Sequence, residues 1–112
     1  MAEHVVAIDQ GTSSSRAVVF DRDMRTVVSA QEAFPQSYPK PGWVEHDPEA
    51  IWQSVLLVTK KAIADSGLAA SDFAGLGITN QRETTLVWRR DDGRCVYPAI
   101  VWQDRRTAEY CR

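Results

Sequence analysis

The sequence predicts an α/β domain whose mixed sheet is built in the order β-β-β-α-β. Three observations predict this fold class. Short apolar, β-branched runs follow one another closely within residues 1–30, as the strands of an antiparallel meander do. One longer segment then carries apolar residues at helical spacing between clear start and stop signals. Another short apolar run follows that segment and completes the pattern.

The first three strands are predicted at residues 5–8, 17–20 and 26–30. The connections between them are short and polar, which favours antiparallel hairpins. Residues 34–46 then form a long connection with three prolines, which exclude a helix and keep the chain extended. We expect two apolar side chains to attach this connection to the rest of the domain: Trp43 and Val44.

One amphipathic helix is predicted after the connection. Asp47 supplies an N-cap acceptor, Pro48 suits the first helical position, and Glu49 places an acid in the first turn. Gly67 suits the position that ends the helix. The apolar residues between these signals form one broad stripe: Ile51, Trp52, Val55, Leu56, Val58, Ala62 and Ile63. The stripe predicts a helix that packs on the sheet, with Trp52 in the core.

The remaining segments predict a fourth strand, a hairpin and the beginning of a second helix. The strand is residues 73–78, and its two glycines predict close backbone packing. Apolar runs at residues 85–88 and 99–102 flank Asp91-Asp92-Gly93, which favours a hairpin turn. Residues 104–110 are typical of the first turns of a helix.

Composition limits the classes of function. The chain has 112 residues, which is one domain at most. Its formal charge of −2, from 13 basic and 15 acidic residues, argues against nucleic acid or an anionic membrane as the main partner. Neither a signal peptide nor an apolar run of spanning length is evident, so we expect a cytoplasmic protein. Cys95 and Cys111 lack metal-ligand spacing and are expected to be reduced thiols.

The segment from Asp9 to Arg16 is a candidate polyphosphate site between two predicted strands. Gly11 allows the backbone to approach a phosphate closely, and Asp9 offers an oxygen ligand for Mg²⁺. Arg16 can neutralise phosphate charge. Three hydroxyls can donate hydrogen bonds to anionic oxygens: Thr12, Ser13 and Ser14. An ordinary tight turn explains the same residues equally well, and the segment is not a Walker A loop.

A second candidate site follows the fourth strand. Arg82 and Glu83 are adjacent and opposite in charge, so together they offer donors and acceptors to the vicinal hydroxyls of a polyol. The alternative is a surface ion pair worth under about 1 kcal/mol. Trp102, at the end of a later apolar run, can form an apolar wall for a carbon skeleton or simply pack in the core.

Four blocks of sequence, in this order, resemble the amino-terminal end of the FGGY carbohydrate kinases. They are residues 9–16, 39–48, 77–85 and 99–103, and the resemblance extends from the first strand to the last residue. Asn80-Gln81-Arg82-Glu83-Thr84-Thr85 is similar to the members that act on glycerol more than to the pentose kinases. The fold implied is a ribonuclease-H-like domain of the actin/hexokinase type, which is incomplete in this chain.

The resemblance implies ATP-dependent transfer of a phosphoryl group to the terminal hydroxyl of glycerol. Asp9 would help to hold Mg²⁺, and Arg16 would contact the nucleotide. The phosphates would be bound by Gly11, Thr12, Ser13 and Ser14. Glycerol hydroxyls would be bound by Arg82 and Glu83, with Trp102 packed on the carbon face. The resemblance attaches no function to Asp104.

Residues 1–112 would then be the amino-terminal part of the first of two facing domains. The general base, the adenosine pocket and the second domain are expected beyond residue 112, so no catalytic residue is predicted here. The 112-residue piece is expected to be inactive alone, and the full-length protein is expected to be a homo-oligomer. Two alternatives remain: a kinase for another small polyol or sugar, and a nucleotide-binding module of the actin or chaperone type.

Overall fold

The computed structural model describes residues 2–112, which form two sheets and one long helix. The elements in chain order are β1 (His4–Gln10), β2 (Ser14–Phe20), β3 (Thr26–Ala33), β4 (Gln36–Ser37), β5 (Glu45–His46), α1 (Pro48–Ser66), a 3₁₀ turn (Ala70–Asp72), β6 (Phe73–Thr79) and β7 (Ala99–Ile100).

The larger sheet has the strand order β3-β2-β1-β6. Strands β1, β2 and β3 are antiparallel neighbours, whereas β6 pairs with β1 in parallel. A parallel neighbour requires a crossover connection, and this one contains α1. The predicted mixed sheet with a β-β-β-α-β order is therefore confirmed.

Helix α1 begins and ends where the sequence predicts. The Asp47 carboxylate accepts a hydrogen bond from the Glu49 backbone N–H at 3.0 Å, and Gly67 ends the helix with a φ of 69°. The buried face of α1 packs on the sheet next to Val19 and consists of three residues: Ser54, Val58 and Ala62.

The prediction that Trp52 lies in the core is wrong, because 53% of its surface is exposed. At about 100° per residue, Trp52 lies on the side of α1 opposite Ser54. Ser54, a small polar residue, contacts the sheet instead. The Ser54 hydroxyl is 2.7 Å from the Ser15 hydroxyl, and this bond satisfies two polar groups inside the apolar layer.

The smaller sheet has the order β4-β5-β7 and organises the long connection of residues 34–46. Val44 is buried. The Trp43 ring lies beneath the Arg106 guanidinium, 3.8 Å from the ring centroid. Both side chains therefore attach the connection to the rest of the chain, as predicted.

The hairpin between β6 and β7 contains fewer strand residues than the sequence predicts. The turn at residues 90–92 is present, but residues 85–88 form only isolated bridges, Thr85 with Ile100 and Trp88 with Cys95. The predicted strand at residues 99–102 is reduced to β7. Trp102 therefore lies two residues beyond a strand.

Two further predictions are wrong. Residues 104–110 form turns without a helix, because the Asp104 carboxylate accepts hydrogen bonds from the Val44 and Arg106 backbone N–H groups and holds the segment against the connection. A Cβ on Gly75 or Gly77 would meet nothing within 4 Å, so these glycines do not mark close packing.

No helix within residues 2–112 combines the length and the apolar character that crossing a membrane requires.

Candidate functional site

The parallel pairing of β1 with β6 brings two loops to one edge of the larger sheet. Asp9 on β1 is the register partner of Thr79 on β6, so the carboxyl ends of both strands lie side by side. The turn after β1 and the loop after β6 begin there. In open α/β sheets ligands collect at this edge.

A cleft of about 480 Å³ lies between these two loops. Its lining includes six residues that the sequence singles out: Asp9, Gly11, Thr12, Arg82, Glu83 and Trp102. Three amide side chains complete the lining and were not predicted: Gln10, Asn80 and Gln81. The fold thus places the two candidate sites, which are some seventy residues apart in the chain, on one cavity.

The turn after β1 is tight and depends on its glycine. The Gly11 N–H donates to the Ser14 carbonyl at 2.9 Å, and a Cβ on Gly11 would be 3.1 Å from that same oxygen. A side chain at this position would therefore press on the turn. The Gln10 side chain donates to the Gly11 carbonyl at 2.7 Å and stabilises the turn further.

Three predicted phosphate-binding residues lie beside the cleft and do not line it. Ser13 is exposed, and the Ser14 hydroxyl accepts a hydrogen bond from Gln31 at 2.8 Å. Arg16 is exposed on β2 directly across from Asp9 in the register. Because opposed residues of an antiparallel pair point to the same face, Arg16 and Asp9 share the face of the sheet away from α1.

Asp9 is suited to a cation that needs few protein ligands. Its side chain is exposed at the cleft and enters no ion pair within residues 2–112. Those residues contain no cluster of three His, Cys, Asp or Glu side chains that could hold a metal. Magnesium nevertheless fits, because it commonly uses one or two carboxylates together with water and substrate phosphates.

Arg82 and Glu83 are both exposed and do not pair with each other in the structure. The surface ion pair that the sequence left open is therefore absent from the described residues. Glu83 has a φ of 57°, a left-handed conformation that costs a non-glycine residue of the order of 1 kcal/mol. Such backbone strain is often found at ligand-binding sites.

Trp102 is not a core residue. Its indole is 52% exposed, and the indole N–H donates to the Thr12 hydroxyl at 3.2 Å. This contact joins the turn after β1 to the segment after β7 across the cleft. The rest of the ring is free to contact a ligand.

A charged cluster behind Trp102 was missed by the sequence reasoning. Arg106 Nη2 lies 2.8 Å from Glu45 Oε2 and 2.7 Å from Asp104 Oδ2. The Arg106 hydrogen bonds lower the pKa of Asp104 to about 2. Those with Asp104 and Glu45 raise the pKa of Arg106 above its ordinary value. No local sequence pattern links Glu45 to Asp104 and Arg106, which follow it by about sixty residues, so only the fold reveals this cluster.

A second buried contact lies behind Arg82 and Glu83. Gln81 is 5% exposed, and His46 is fully buried. The Gln81 amide nitrogen lies 3.4 Å from His46 Nδ1, and the Gln81 backbone N–H donates to the Gln10 side chain at 3.3 Å. Burial lowers the pKa of His46, so the imidazole is neutral in the fold near pH 7.

Comparison with known proteins places this geometry in a family. Residues 4–112 match the N-terminal domain of the FGGY family of carbohydrate kinases. A curated glycerol kinase from Rhizobium rhizogenes is 60% identical over 111 residues, which are 99% of this chain and 22% of that protein.

Solved structures agree with the sequence match. The crystal structure of Plasmodium falciparum glycerol kinase with ADP superposes with a TM-score of 0.85 and 34% identity, over 96% of this chain and 22% of that one. A xylulose kinase from Rhodospirillum rubrum superposes with a TM-score of 0.84 and 27% identity, over 95% of this chain and 22% of that one. The chain thus spans about a fifth of the length of these relatives.

Proposed function

Because the chain belongs to the FGGY family of carbohydrate kinases, we propose that the protein containing it transfers the γ-phosphoryl group of ATP to glycerol. The product is sn-glycerol 3-phosphate. The relatives at 55–60% identity are curated glycerol kinases, which supports glycerol as the acceptor. In this proposal residues 1–112 are the amino-terminal part of the first of two domains.

One observation carries the proposal: a single cleft holds both the turn after β1 and the Arg82–Glu83 pair. Phosphoryl transfer requires the phosphate donor and the acceptor alcohol to lie in line, and catalysis consists mainly of positioning and charge neutralisation. Two loops on neighbouring parallel strands that open onto the same cavity support this role.

The turn after β1 is assigned to the nucleotide. Gly11 lets the backbone approach the phosphates closely, the hydroxyls of Thr12, Ser13 and Ser14 donate to them, and Arg16 adds positive charge beside them. Asp9 would hold Mg²⁺, directly or through water, and a bound ion would supply charge neutralisation at the phosphates. Thr12 is the one hydroxyl of this set in the cleft lining, so Ser13, Ser14 and Arg16 serve at its margin.

The opposite wall is assigned to glycerol. Charge-assisted hydrogen bonds from Arg82 and to Glu83 are each worth about 1.5–3 kcal/mol. The binding free energy of a small ligand is at most about 1.5 kcal/mol per heavy atom. Because glycerol has few atoms, these two residues supply much of its affinity. Trp102 covers the carbon face, which removes apolar surface from water.

The test is an assay of ADP production by the protein that contains this chain, with and without glycerol. We expect turnover that depends on glycerol, and a loss of at least about 10-fold in kcat/KM for glycerol in Arg82→Ala, because a charged hydrogen bond is removed. Arg90→Ala is the matched control: it removes an exposed arginine outside the cleft lining and should change little. The 112-residue chain alone should show no such turnover.

A panel of acceptors separates this proposal from its alternatives. Greater activity on another polyol or on a sugar would show that glycerol is not the preferred acceptor, but the protein would still be a kinase. ATP hydrolysis that no acceptor accelerates would favour a nucleotide switch of the actin or chaperone type, and such a switch would leave Arg82 and Glu83 without a role.

Two properties complete the proposal. We place the protein in the cytoplasm, which agrees with its two free, exposed cysteines. We also propose that the full-length protein is a homo-oligomer.

A further inference from the structure

We propose that strand β5 positions both halves of the acceptor site: Glu45 fixes Trp102 through Arg106 and Asp104, and His46 fixes the Arg82–Glu83 loop through Gln81. This inference rests on the proposed function for the identity of the acceptor. The juxtaposition itself is a property of the fold.

The Trp102 half depends on the segment of residues 101–106, which has no helix or strand to hold it. The segment is attached to residues 42–44 by backbone bonds: the Arg105 N–H donates to the Gly42 carbonyl at 2.7 Å, and the Val101 N–H donates to the Val44 carbonyl at 3.4 Å. The Asp104 carboxylate accepts from the Val44 N–H at 2.7 Å. Trp102 lies in the middle of these attachments.

The charged cluster of Glu45, Asp104 and Arg106 fixes the orientation of this segment. The Arg106 side chain binds both oxygens of Asp104, through Nε at 2.9 Å and 3.0 Å, and also reaches Glu45 at 2.8 Å. Planar guanidinium groups hold carboxylates in a fixed orientation. The Glu45 and Asp104 side chains are 7% and 3% exposed, so water competes little for these bonds.

The Arg82–Glu83 half depends on Gln81. The two functional side chains are exposed, whereas Gln81 immediately before them is buried against His46 and Gln10. Phe34 packs edge-on against the His46 ring, with 5.2 Å between centroids, and keeps the imidazole in place. The loop after β6 is therefore anchored at Gln81, while Arg82 and Glu83 remain free to bind.

One strand can serve both halves because consecutive residues of a strand point to opposite faces. Glu45 and His46 are neighbours, and both are buried. A shift of β5 would move Trp102 and the Arg82–Glu83 loop together. Neither β5 residue lines the cleft, so these are positioning residues that act through others.

The test measures KM for glycerol and KM for ATP in the full-length protein. Asp104→Asn removes the charge that Arg106 binds, and we expect the glycerol KM to rise by between about 10- and 100-fold, the scale of a misplacement of about 1 Å. The ATP KM should stay within about twofold. Asp91→Asn is the matched control, because Asp91 also pairs with an arginine at 3.0 Å, but on an exposed turn.

The His46 half has its own pair of variants. His46→Leu should raise the glycerol KM, and His46→Asn should restore most of it, since the Asn oxygen can replace Nδ1 as the acceptor for Gln81. A purely structural role predicts instead a lower melting temperature with both KM values unchanged, and that result would overturn the proposal. If Asp104→Asn does not fold, Arg106→Lys is measured in the same way, because it keeps the cation and loses the bidentate geometry.

The outcomes also separate this inference from the proposed function. If the wild-type protein prefers another acceptor, the proposed substrate is wrong, and the same variants are compared on the KM of that acceptor. If glycerol is the substrate and the variants match the wild type in KM, the positioning role alone is wrong.

Discussion

His46 is a titratable side chain that the fold buries completely. Its burial lowers the pKa of the imidazole below the ordinary 6.5, so the unfolded chain takes up a proton more readily than the folded chain. Stability linked to His46 is therefore complete above pH 6.5 and is lost as the pH falls below that value. Protonation would also convert Nδ1 into a donor that faces the Gln81 amide nitrogen.

We therefore predict that the free energy of unfolding decreases between pH 7 and pH 5. The slope from this one proton is at most about 1.4 kcal/mol per pH unit. Urea unfolding of the wild type and of His46→Asn at several pH values measures it, and the variant should lose most of the slope. His4→Asn is the control, because it keeps His46 and with it the dependence that burial produces. An equal slope in wild type and His46→Asn would contradict the prediction.

Single residues differ in how far their roles can be inferred from sequence. Gly11 is foreseeable, because a glycine between a strand and a run of hydroxyls indicates a tight turn near a ligand. Asp104 is not, because its role depends on Arg106 together with Glu45, and only the fold of the smaller sheet brings Glu45 to Arg106. Local chemistry in the sequence thus indicates candidate ligand-binding residues, whereas the contacts that hold the surrounding segments in place are visible only in three dimensions.

At the scale of elements, α1 is the best-predicted part of the chain because its signals are local. Asp47, Pro48 and Gly67 act within one turn of each helix end. The burial of Trp52 was wrongly predicted because the apolar stripe is wider than the surface that contacts the sheet. The sequence does not reveal which part of the stripe the sheet covers. The helix predicted at residues 104–110 is absent because the hydrogen bond that the Val44 N–H donates to Asp104 overrides a local helical preference.

The N-cap of α1 provides a quantitative check at this scale. Asp47→Ala removes the acceptor of the Glu49 N–H bond and should lower the free energy of unfolding by about 1 kcal/mol. Asp65→Ala is the matched control on the same helix, because it breaks an exposed pair with Lys61 and should cost under about 0.5 kcal/mol. Chemical denaturation measures both. Equal losses in the two variants would contradict the capping role.

At the scale of the whole molecule, the described residues are extended. Their radius of gyration is 16.9 Å, with axes of 54 × 32 × 21 Å, whereas a compact domain of this length has a radius of about 13 Å. The main core is small and lies between α1 and the strands β1, β2 and β3. Strand β6 extends beyond this core at the edge of the larger sheet.

The exposed side of β6 leads to the last prediction. Leu76 and Ile78 are the register partners of Val6 and Ile8, which are buried beneath α1, so all four point to the same face. Yet Leu76 is 52% exposed and Ile78 is 71% exposed, because α1 packs across the other strands. β6 also has no strand neighbour on its outer side within residues 2–112. An apolar strand with a free edge promotes association between chains.

We therefore expect the isolated 112-residue polypeptide to self-associate in sedimentation velocity experiments. Ile78→Lys should shift it towards the monomer, since a charge on an edge strand opposes pairing between chains. Leu57→Lys is the control, because Leu57 is an equally large, 50% exposed residue on α1 and away from any strand edge. If Leu57→Lys dissociates the polypeptide as well as Ile78→Lys does, general hydrophobicity and not the β6 edge drives the association. If the wild-type polypeptide stays monomeric, the exposed apolar side of β6 does not drive association and the prediction is wrong.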